Sequence, residues 1–292
     1  MQVSDLSYHQ SPRVTERGPL SQDGQPALYY RWAPAESSKA TVLILHGYGE
    51  HSGRYEHVLE ALVEAGFSGL AIDYRGYGLA EGRRGCLRDF EEYVTDALRG
   101  LRLAGHKKGP DEPLFLLGHS QGGLLALRVA MEEGLGLSGL MLSSPWLGMA
   151  MKVPTWKYCI AKLASRFVPD FGLSSDIPKD WITTDAEQVA LRDADPLMVH
   201  TGSARWLTEI YSTQEVVRAG AASVTLPTLL MAAGDDRLVS TPESRRVFEA
   251  LGAPDSTWIE YPGLRHEIFN ELERRRVFVD MTSWLLERVL KS

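Results

Sequence analysis

The sequence predicts an α/β fold in which a mainly parallel central sheet is covered by helices on both faces. Three observations carry this reading. Short apolar runs, too continuous for half-exposed strands, recur along the chain; segments of helical spacing separate them; and the alternation lapses between about residues 143 and 223. At 292 residues and 44% hydrophobic, the chain is long enough to bury such a core as one domain with an insertion.

Residues 1–26 are polar and contain Gly, Pro and Ser, which reads as a leader. Strands are then expected at 27–32, 41–45 and 67–72, where apolar and β-branched residues cluster. Phe90, Val94, Ala97, Leu98, Leu101 and Ala104 follow at helical spacing, ahead of strands at 114–117 and 137–142. In the interval that follows no strong strand is visible, and Trp, Pro and Met are frequent. Its first helix is expected over residues 155–168, because Trp156, Cys159, Ile160, Leu163 and Phe167 share one face and Pro154 and Pro169 bracket the segment. Strands at 226–232 and 256–261 resume the alternation, and Phe278, Met281, Leu285 and Val289 mark a final helix.

Chemistry enters at Gly118-His119-Ser120-Gln121-Gly122, between the apolar run 113–117 and a helix-like segment from Gly122. A serine on a sharp strand-to-helix turn projects its hydroxyl, and the flanking glycines leave room for the crowded backbone. Ser120 is therefore the candidate nucleophile, with the amide of Gln121 and the positive end of the next helix aimed where an oxyanion would develop. A serine needs a base. His200 and His266 are the histidines that follow it; His200 precedes the candidate acid in an irregular segment, whereas His266 lies in the turn after a strand. The acid is expected at the exit of the strand at 226–233, where Asp235 and Asp236 are adjacent and either can reach an imidazole. The chain order Ser, Asp, His is that of an α/β-hydrolase. A second oxyanion donor is expected from the loop His46-Gly47-Tyr48-Gly49, which follows the strand at 41–45.

The stretch His46-Gly47-Tyr48-Gly49-Glu50-His51-Ser52-Gly53-Arg54-Tyr55 resembles the signature of monoacylglycerol lipase-like and lysophospholipase-like serine hydrolases. Asp73-Tyr74-Arg75-Gly76-Tyr77-Gly78, Ala204-Arg205-Trp206 and the segment from Arg265 to Glu271 are similar to further stretches of that family, and the resemblance runs from about residue 27 to the C-terminus. It implies an α/β-hydrolase fold, with a core of residues 27–143 and 224–292 and a helical cap inserted at 144–223. Because Asp236-Arg237-Leu238-Val239 matches the family's Asp-x-x-Val, the resemblance also implies that Asp236 is the acid and Asp235 an ordinary loop residue. The backbone N–H groups of Tyr48 and Gln121 would then hold the oxyanion. The implied substrate is a single-chain acyl ester, cleaved through an acyl-enzyme; lysophospholipids and short-chain esters are the alternatives within enzymes, and a non-catalytic ligand-binding protein is the alternative outside them. Two departures bear on substrate preference. Tyr48 is large where the family often has a small residue, so its ring either narrows the acyl pocket or leans away, and Ala80 stands where many members have serine.

Composition removes other classes. With 31 Lys+Arg against 38 Asp+Glu, the net charge of −7 gives no general attraction to nucleic acid. Two cysteines, Cys86 and Cys159, cannot make a disulfide framework and point to a reducing compartment. The start Met1 to Tyr8 shows no signal-peptide pattern, and no window approaches the ~20 apolar residues of a membrane span. A cytoplasmic protein is expected, with transient membrane or micelle contact through the cap; oligomeric state has no signal in the chain. Trp146, Leu147, Met149, Met151, Val153, Pro154 and Trp156 suit either a pocket mouth or packing of the cap. His46, His51 and His57 lack metal-ligand spacing, and Gly47, Gly49 and Gly53 miss the dinucleotide fingerprint, so neither metal nor cofactor is expected. His46 and His119 are expected to support their loops, Glu50 and Arg54 to form a polar network behind the oxyanion loop, and Arg205 and Trp206 to pack or hydrogen-bond within the cap. Epoxide and haloalkane chemistry, which needs a carboxylate nucleophile, is disfavoured by Ser120.

Overall fold

The computed structural model describes residues 10–150, 155–175 and 177–290. Among these, the strands are β1 (Glu16–Gln22), β2 (Gln25–Ala33), β3 (Thr41–Leu45), β4 (Ser68–Asp73), β5 (Leu114–His119), β6 (Gly139–Ser143), β7 (Gly172–Ser174), β8 (Thr201–Ser203), β9 (Thr228–Ala233) and β10 (Ser256–Tyr261). The helices are α1 (Glu56–Glu64), α2 (Glu91–Lys107), α3 (Gln121–Ala130), α4 (Thr155–Phe167), α5 (Ala186–Ala194), α6 (Ala204–Gly220), α7 (Thr241–Glu249) and α8 (Arg274–Val289).

Eight strands form one sheet in the order β1-β2-β4-β3-β5-β6-β9-β10. β1 and β2 run antiparallel to their neighbours, and every other pairing is parallel. The continuous apolar runs have a direct cause: alternate residues of each central strand feed opposite cores. Leu43 and Leu45 of β3 join Leu116 and Leu230 on one face, where α2 and α3 add Tyr93, Val94, Ala97, Leu124 and Leu127. Val42 and Ile44 join Phe115 and Met231 on the other, where α1 and α8 add Val58, Leu62, Met281 and Leu285. Parallel strands buried on both faces cannot alternate with polar residues. The parallel connections leave the carboxyl ends of β3, β5, β9 and β10 along one edge, and the loops that carry the chemistry emerge there.

Two expectations are corrected and a third is completed. Residues 16–22 belong to the sheet and not to a leader: β1 pairs along β2, and Arg17 binds the Glu56 carboxylate with Nε and Nη2 at 3.0 and 2.7 Å. As an edge strand with only Gly18 and Leu20 half-buried, it has no apolar run to reveal it. Between β6 and β9, where no strand was expected, β7 and β8 pair antiparallel over three residues each. α4 forms close to its expected bounds, but Ala161 and Ser165 face inward, while Ile160, Leu163 and Phe167 are 57, 62 and 71% exposed. Ser165 Oγ meets Thr208 Oγ1 of α6 at 2.9 Å, and Arg205 Nη2 donates to the Ser165 carbonyl at 2.9 Å, which fixes that orientation. Met151, Val153 and Pro154 and the side chains of Trp156 and Cys159 lie outside the described residues; Trp146 and Leu147 are buried in the core.

Candidate active site

Ser120 sits between β5 and α3 at φ 52° and ψ −115°, a conformation that costs a residue with a side chain ~1–3 kcal/mol. The turn is tight. A Cβ on Gly118 would lie 2.1 Å from the Gly122 carbonyl oxygen, and one on Gly122 would lie 2.2 Å from that of Leu45, so both positions require glycine. Ser120 N donates to the Ser143 carbonyl at 3.0 Å, tying the turn to β6.

His266, in the turn after β10, places Nε2 2.9 Å from Ser120 Oγ and Nδ1 2.8 Å from Asp236 Oδ2. The other Asp236 oxygen accepts the N–H groups of Leu238 and Val239, both at 2.9 Å, so the carboxylate is oriented by its own loop. Asp235 points elsewhere: its side chain is 45% exposed and pairs with Arg237 at 3.3 Å, whereas that of Asp236 is 1% exposed. Burial disfavours an imidazolium at His266, yet the Asp236 carboxylate, together with Glu267 and Glu50, outweighs it and raises the pKa above the ordinary value. Burial likewise opposes ionisation of Asp236, and His266 with the two loop amides reverses the balance, lowering its pKa. A hydroxyl, an imidazole and a buried carboxylate in this line can pass a proton from oxygen to nitrogen while holding the resulting charge.

Four other histidines have separate partners. His119 is driven down to about 3 by burial and by its neighbour His266, and its Nδ1 lies 3.0 Å from Ser143 Oγ. Burial depresses His46 to about 4, and its ring stacks on Tyr74 with centroids 4.1 Å apart. His51 Nε2 meets Asp195 at 2.6 Å, His57 Nε2 lies 2.9 Å from the Phe269 carbonyl, and His200 is exposed.

The loop after β3 is held from behind. Glu50 Oε1 accepts the Gly47 N–H at 2.5 Å and the Tyr55 hydroxyl at 2.7 Å, while Oε2 meets Arg54 Nη1 at 2.9 Å. Arg54 also grips Glu267 through two bonds of 3.0 and 2.8 Å, and this guanidinium, working against burial, holds the Glu267 carboxyl down to about 2. Glu267 thus completes a network of which the sequence reading named only Glu50 and Arg54; its place directly after His266 was the available signal. The N–H groups of Tyr48 and Gln121 donate no hydrogen bond among the described residues. Gln121 is the first residue of α3, where such donors are left free by the helix geometry.

A cavity of about 260 Å³ opens over Ser120 and His266. Trp146, Met149, Ile177, Leu207, Leu238 and Val239 give it an apolar wall, and Arg192 is a charged group on that wall. Tyr48 does not lean away: its ring lines the cavity and stacks on Trp206 at 4.3 Å. Trp206 Nε1 donates to Gln121 Oε1 at 2.8 Å, so this tryptophan reaches the core, whereas Arg205 bonds within the segment between β6 and β9. That contact spans 85 residues of chain, and no local pattern announces it.

A strained serine after the third parallel strand, with acid and base after later ones at the same sheet edge, defines an α/β-hydrolase. The chain belongs to the family described as serine aminopeptidase, S33, whose match spans residues 36–273. It is 32% identical to the monoacylglycerol lipase of Mycolicibacterium smegmatis, over 91% of this chain and 95% of that protein. It is 33% identical to phospholipase YtpA of Bacillus subtilis, over 84% of this chain and 94% of that one. The crystal structure of Paleococcus ferrophilus monoacylglycerol lipase superposes with a TM-score of 0.82 at 30% identity, covering 89% of this chain and 99% of the other. The protein is thus a monoacylglycerol lipase-like α/β-hydrolase.

Proposed function

We propose that this carboxylic ester hydrolase cleaves single-chain acyl esters, monoacylglycerols foremost, through an acyl-enzyme on Ser120. The observation that carries the reading is the Ser120–His266–Asp236 line at the floor of an apolar cavity. His266 takes the proton as Ser120 Oγ attacks the ester carbonyl, and Asp236 holds the tautomer and stabilises the imidazolium. The free N–H groups of Tyr48 and Gln121 receive the oxyanion. His266 then protonates the leaving alcohol, and water activated by the same imidazole releases the fatty acid. The segment between β6 and β9 acts as the cap over the acyl chain. The lipases to which the chain is similar support this reading, although the family description names an aminopeptidase. A peptidase of that kind needs an anionic group for the substrate's terminal ammonium; the two carboxylates on the cavity wall, Glu50 and Glu267, are both engaged by Arg54. The test is hydrolysis of 4-nitrophenyl esters of rising chain length, monoacylglycerol, triacylglycerol and lysophosphatidylcholine. Medium or long monoacylglycerols should be preferred; turnover confined to short esters would replace this reading with a general esterase.

One observation favours a second reading, a lysophospholipase. The Arg192 side chain, 12% exposed, donates no hydrogen bond among the described residues, and its ion-pair partner Asp193 stands 4.0 Å away. A guanidinium on the wall whose N–H groups are not taken up by a close carboxylate suits a phosphate in the head group. Arg192→Gln should then lower kcat/KM for lysophosphatidylcholine about 10-fold, the worth of one charged hydrogen bond, with monoacylglycerol turnover changed by less than about threefold. Equal losses on both substrates would exclude the phosphate contact.

The outward face of α4 suits a lipid surface. Ile160, Leu163 and Phe167, with Val168 and Phe171 just beyond the helix, are all more than half exposed, and Leu173 further on lines the cavity. Among the described residues no helix is long and apolar enough to cross a membrane, so contact would be peripheral. Leu163→Asp with Phe167→Asp should cut binding to phosphatidylcholine vesicles at least ~10-fold, with hydrolysis of soluble 4-nitrophenyl acetate retained; each removes a side chain worth ~1.5–3 kcal/mol when buried. Undiminished vesicle binding would place the contact elsewhere.

A further inference from the structure

We infer that Trp206 is a positioning residue that seats both oxyanion donors, so that ester hydrolysis requires α6 to stay seated on the core. The inference rests on the reading of Tyr48 and Gln121 given above. Trp206 is contributed by α6, yet it makes a different kind of contact with each donor residue. Its Nε1 donates to the side-chain oxygen of Gln121 at 2.8 Å, and its ring stacks on that of Tyr48 at 4.3 Å and 28°.

The first contact is one link in a chain. Gln121 Nε2 donates to the Tyr74 hydroxyl at 3.1 Å, which donates to the His46 carbonyl at 2.9 Å, at the start of the loop that carries Tyr48. The amide positions on both sides of the proposed oxyanion are thereby tied to one another through Trp206 and Tyr74. Ser120 gives this tie a purpose. Its backbone is held at φ 52°, and a turn under such strain relaxes unless neighbouring groups hold it. Gln121, the next residue, is braced from the core by Tyr74 and from α6 by Trp206.

Trp206 is itself well fixed. Ser203 caps α6 by accepting the Trp206 N–H at 3.0 Å, and the Trp146 ring lies against Trp206 with centroids 5.7 Å apart. Trp146 N in turn donates to the Ser120 carbonyl at 2.9 Å. Other contacts reach the oxyanion loop from the same segment: Val199 N donates to the Gly49 carbonyl at 2.7 Å, and the Tyr48 hydroxyl reaches Ser175 Oγ at 3.3 Å. Trp206 differs from them in touching both donor residues. Movement of α6 by about an ångström would release both at once, a displacement large enough to cost a site ~100-fold.

The test uses the full chain with three variants. Trp206→Phe keeps a stacking ring and loses the N–H, Trp206→Leu loses both, and Gln121→Leu removes the partner side chain while keeping the backbone donor. Rates on a monoacylglycerol are normalised to sites titrated by a fluorophosphonate, so misfolded protein does not enter. Trp206→Leu should lower kcat about 10- to 100-fold with KM changed by less than about threefold, and Trp206→Phe should fall between it and wild type. The double variant Trp206→Phe/Gln121→Leu should be no slower than Gln121→Leu alone, because Gln121→Leu already removes the Trp206 bond along with the bond to Tyr74. Unchanged normalised kcat in Trp206→Leu, a loss confined to KM, or losses that multiply in the double variant would each overturn the inference. If the wild type shows no Ser120-dependent turnover, the reading of the site fails and this inference falls with it; if the wild type turns over and Trp206→Leu keeps pace, only the inference fails.

Discussion

Ser120→Ala is expected to lower monoacyl ester hydrolysis by about 10⁵- to 10⁶-fold while the protein stays folded. The loss is large because Ser120 Oγ lies on His266 Nε2 and no other hydroxyl among the described residues does: Tyr48 bonds toward Ser175, and Ser175 toward the His200 carbonyl. Without the hydroxyl, a water molecule has to replace it, and what survives is the residual catalysis of the oxyanion donors and of substrate binding, ~10³-fold over the uncatalysed reaction. Stability should change little. Alanine keeps the Cβ and so the same strained φ of 52°, and the turn is held by backbone bonds from Ser120 N to Ser143 and from Trp146 N to Ser120, none of which uses the hydroxyl. Thermal unfolding compared with turnover separates the two effects. A variant that remains folded and retains more than about 1% of wild-type kcat would remove Ser120 as the nucleophile.

The second large effect distinguishes adjacent aspartates. Asp236→Asn should cost about 10⁴-fold in kcat, because an amide in this place favours the wrong imidazole tautomer and cannot stabilise the imidazolium. Asp235→Asn removes only a half-exposed ion pair with Arg237, worth ~0–1 kcal/mol, and should leave turnover within about threefold. The pH profile adds a sign. In the wild type, burial pushes the His266 pKa down, and Asp236 with Glu267 and Glu50 raises it further than burial lowers it, so the acid limb of kcat/KM should lie above the ordinary histidine value of ~6.5. Activity needs the neutral base and is lost as the pH falls through that limb. Asp236→Asn leaves burial unopposed by the carboxylate and should move the limb to lower pH. Equal rate losses for the two variants, or an unmoved limb, would contradict the placement of Asp236.

The parts legible in the sequence were those in which local pattern and tertiary environment agree. β3, β5 and β9 are buried on both faces, so each appears as an unbroken apolar run. Ser120 is marked by glycines that the turn physically requires, and His266 by its place after β10. The choice between Asp235 and Asp236 was not a matter of local pattern. It depends on which carboxylate the N–H groups of Leu238 and Val239 capture; family resemblance supplied the preference for Asp236, the carboxylate that accepts both of them and meets His266.

Other features were hidden for identifiable reasons. β1 is an edge strand that begins Glu16-Arg17-Gly18-Pro19, held by backbone pairing and by the Arg17–Glu56 bond more than by apolar burial. β7 and β8 are three residues each, too short for a period-2 pattern to register. Periodicity grouped Ile160, Leu163 and Phe167 on one face of α4 without saying which way the face turns; the Ser165 and Arg205 contacts decide that it turns outward. The Trp206–Gln121 bond joins residues that only the fold brings together.

The decisive measurement is intact-mass analysis of the folded protein after exposure to a fluorophosphonate, followed by peptide mapping and repeated with Ser120→Ala. One adduct per chain on the peptide containing Ser120, absent from the variant and blocked by a monoacylglycerol, is the outcome required of an acyl-enzyme hydrolase. A folded chain that takes no adduct, or takes it equally in the variant, would make the cavity a binding site and the protein a carrier or sensor of apolar ligands.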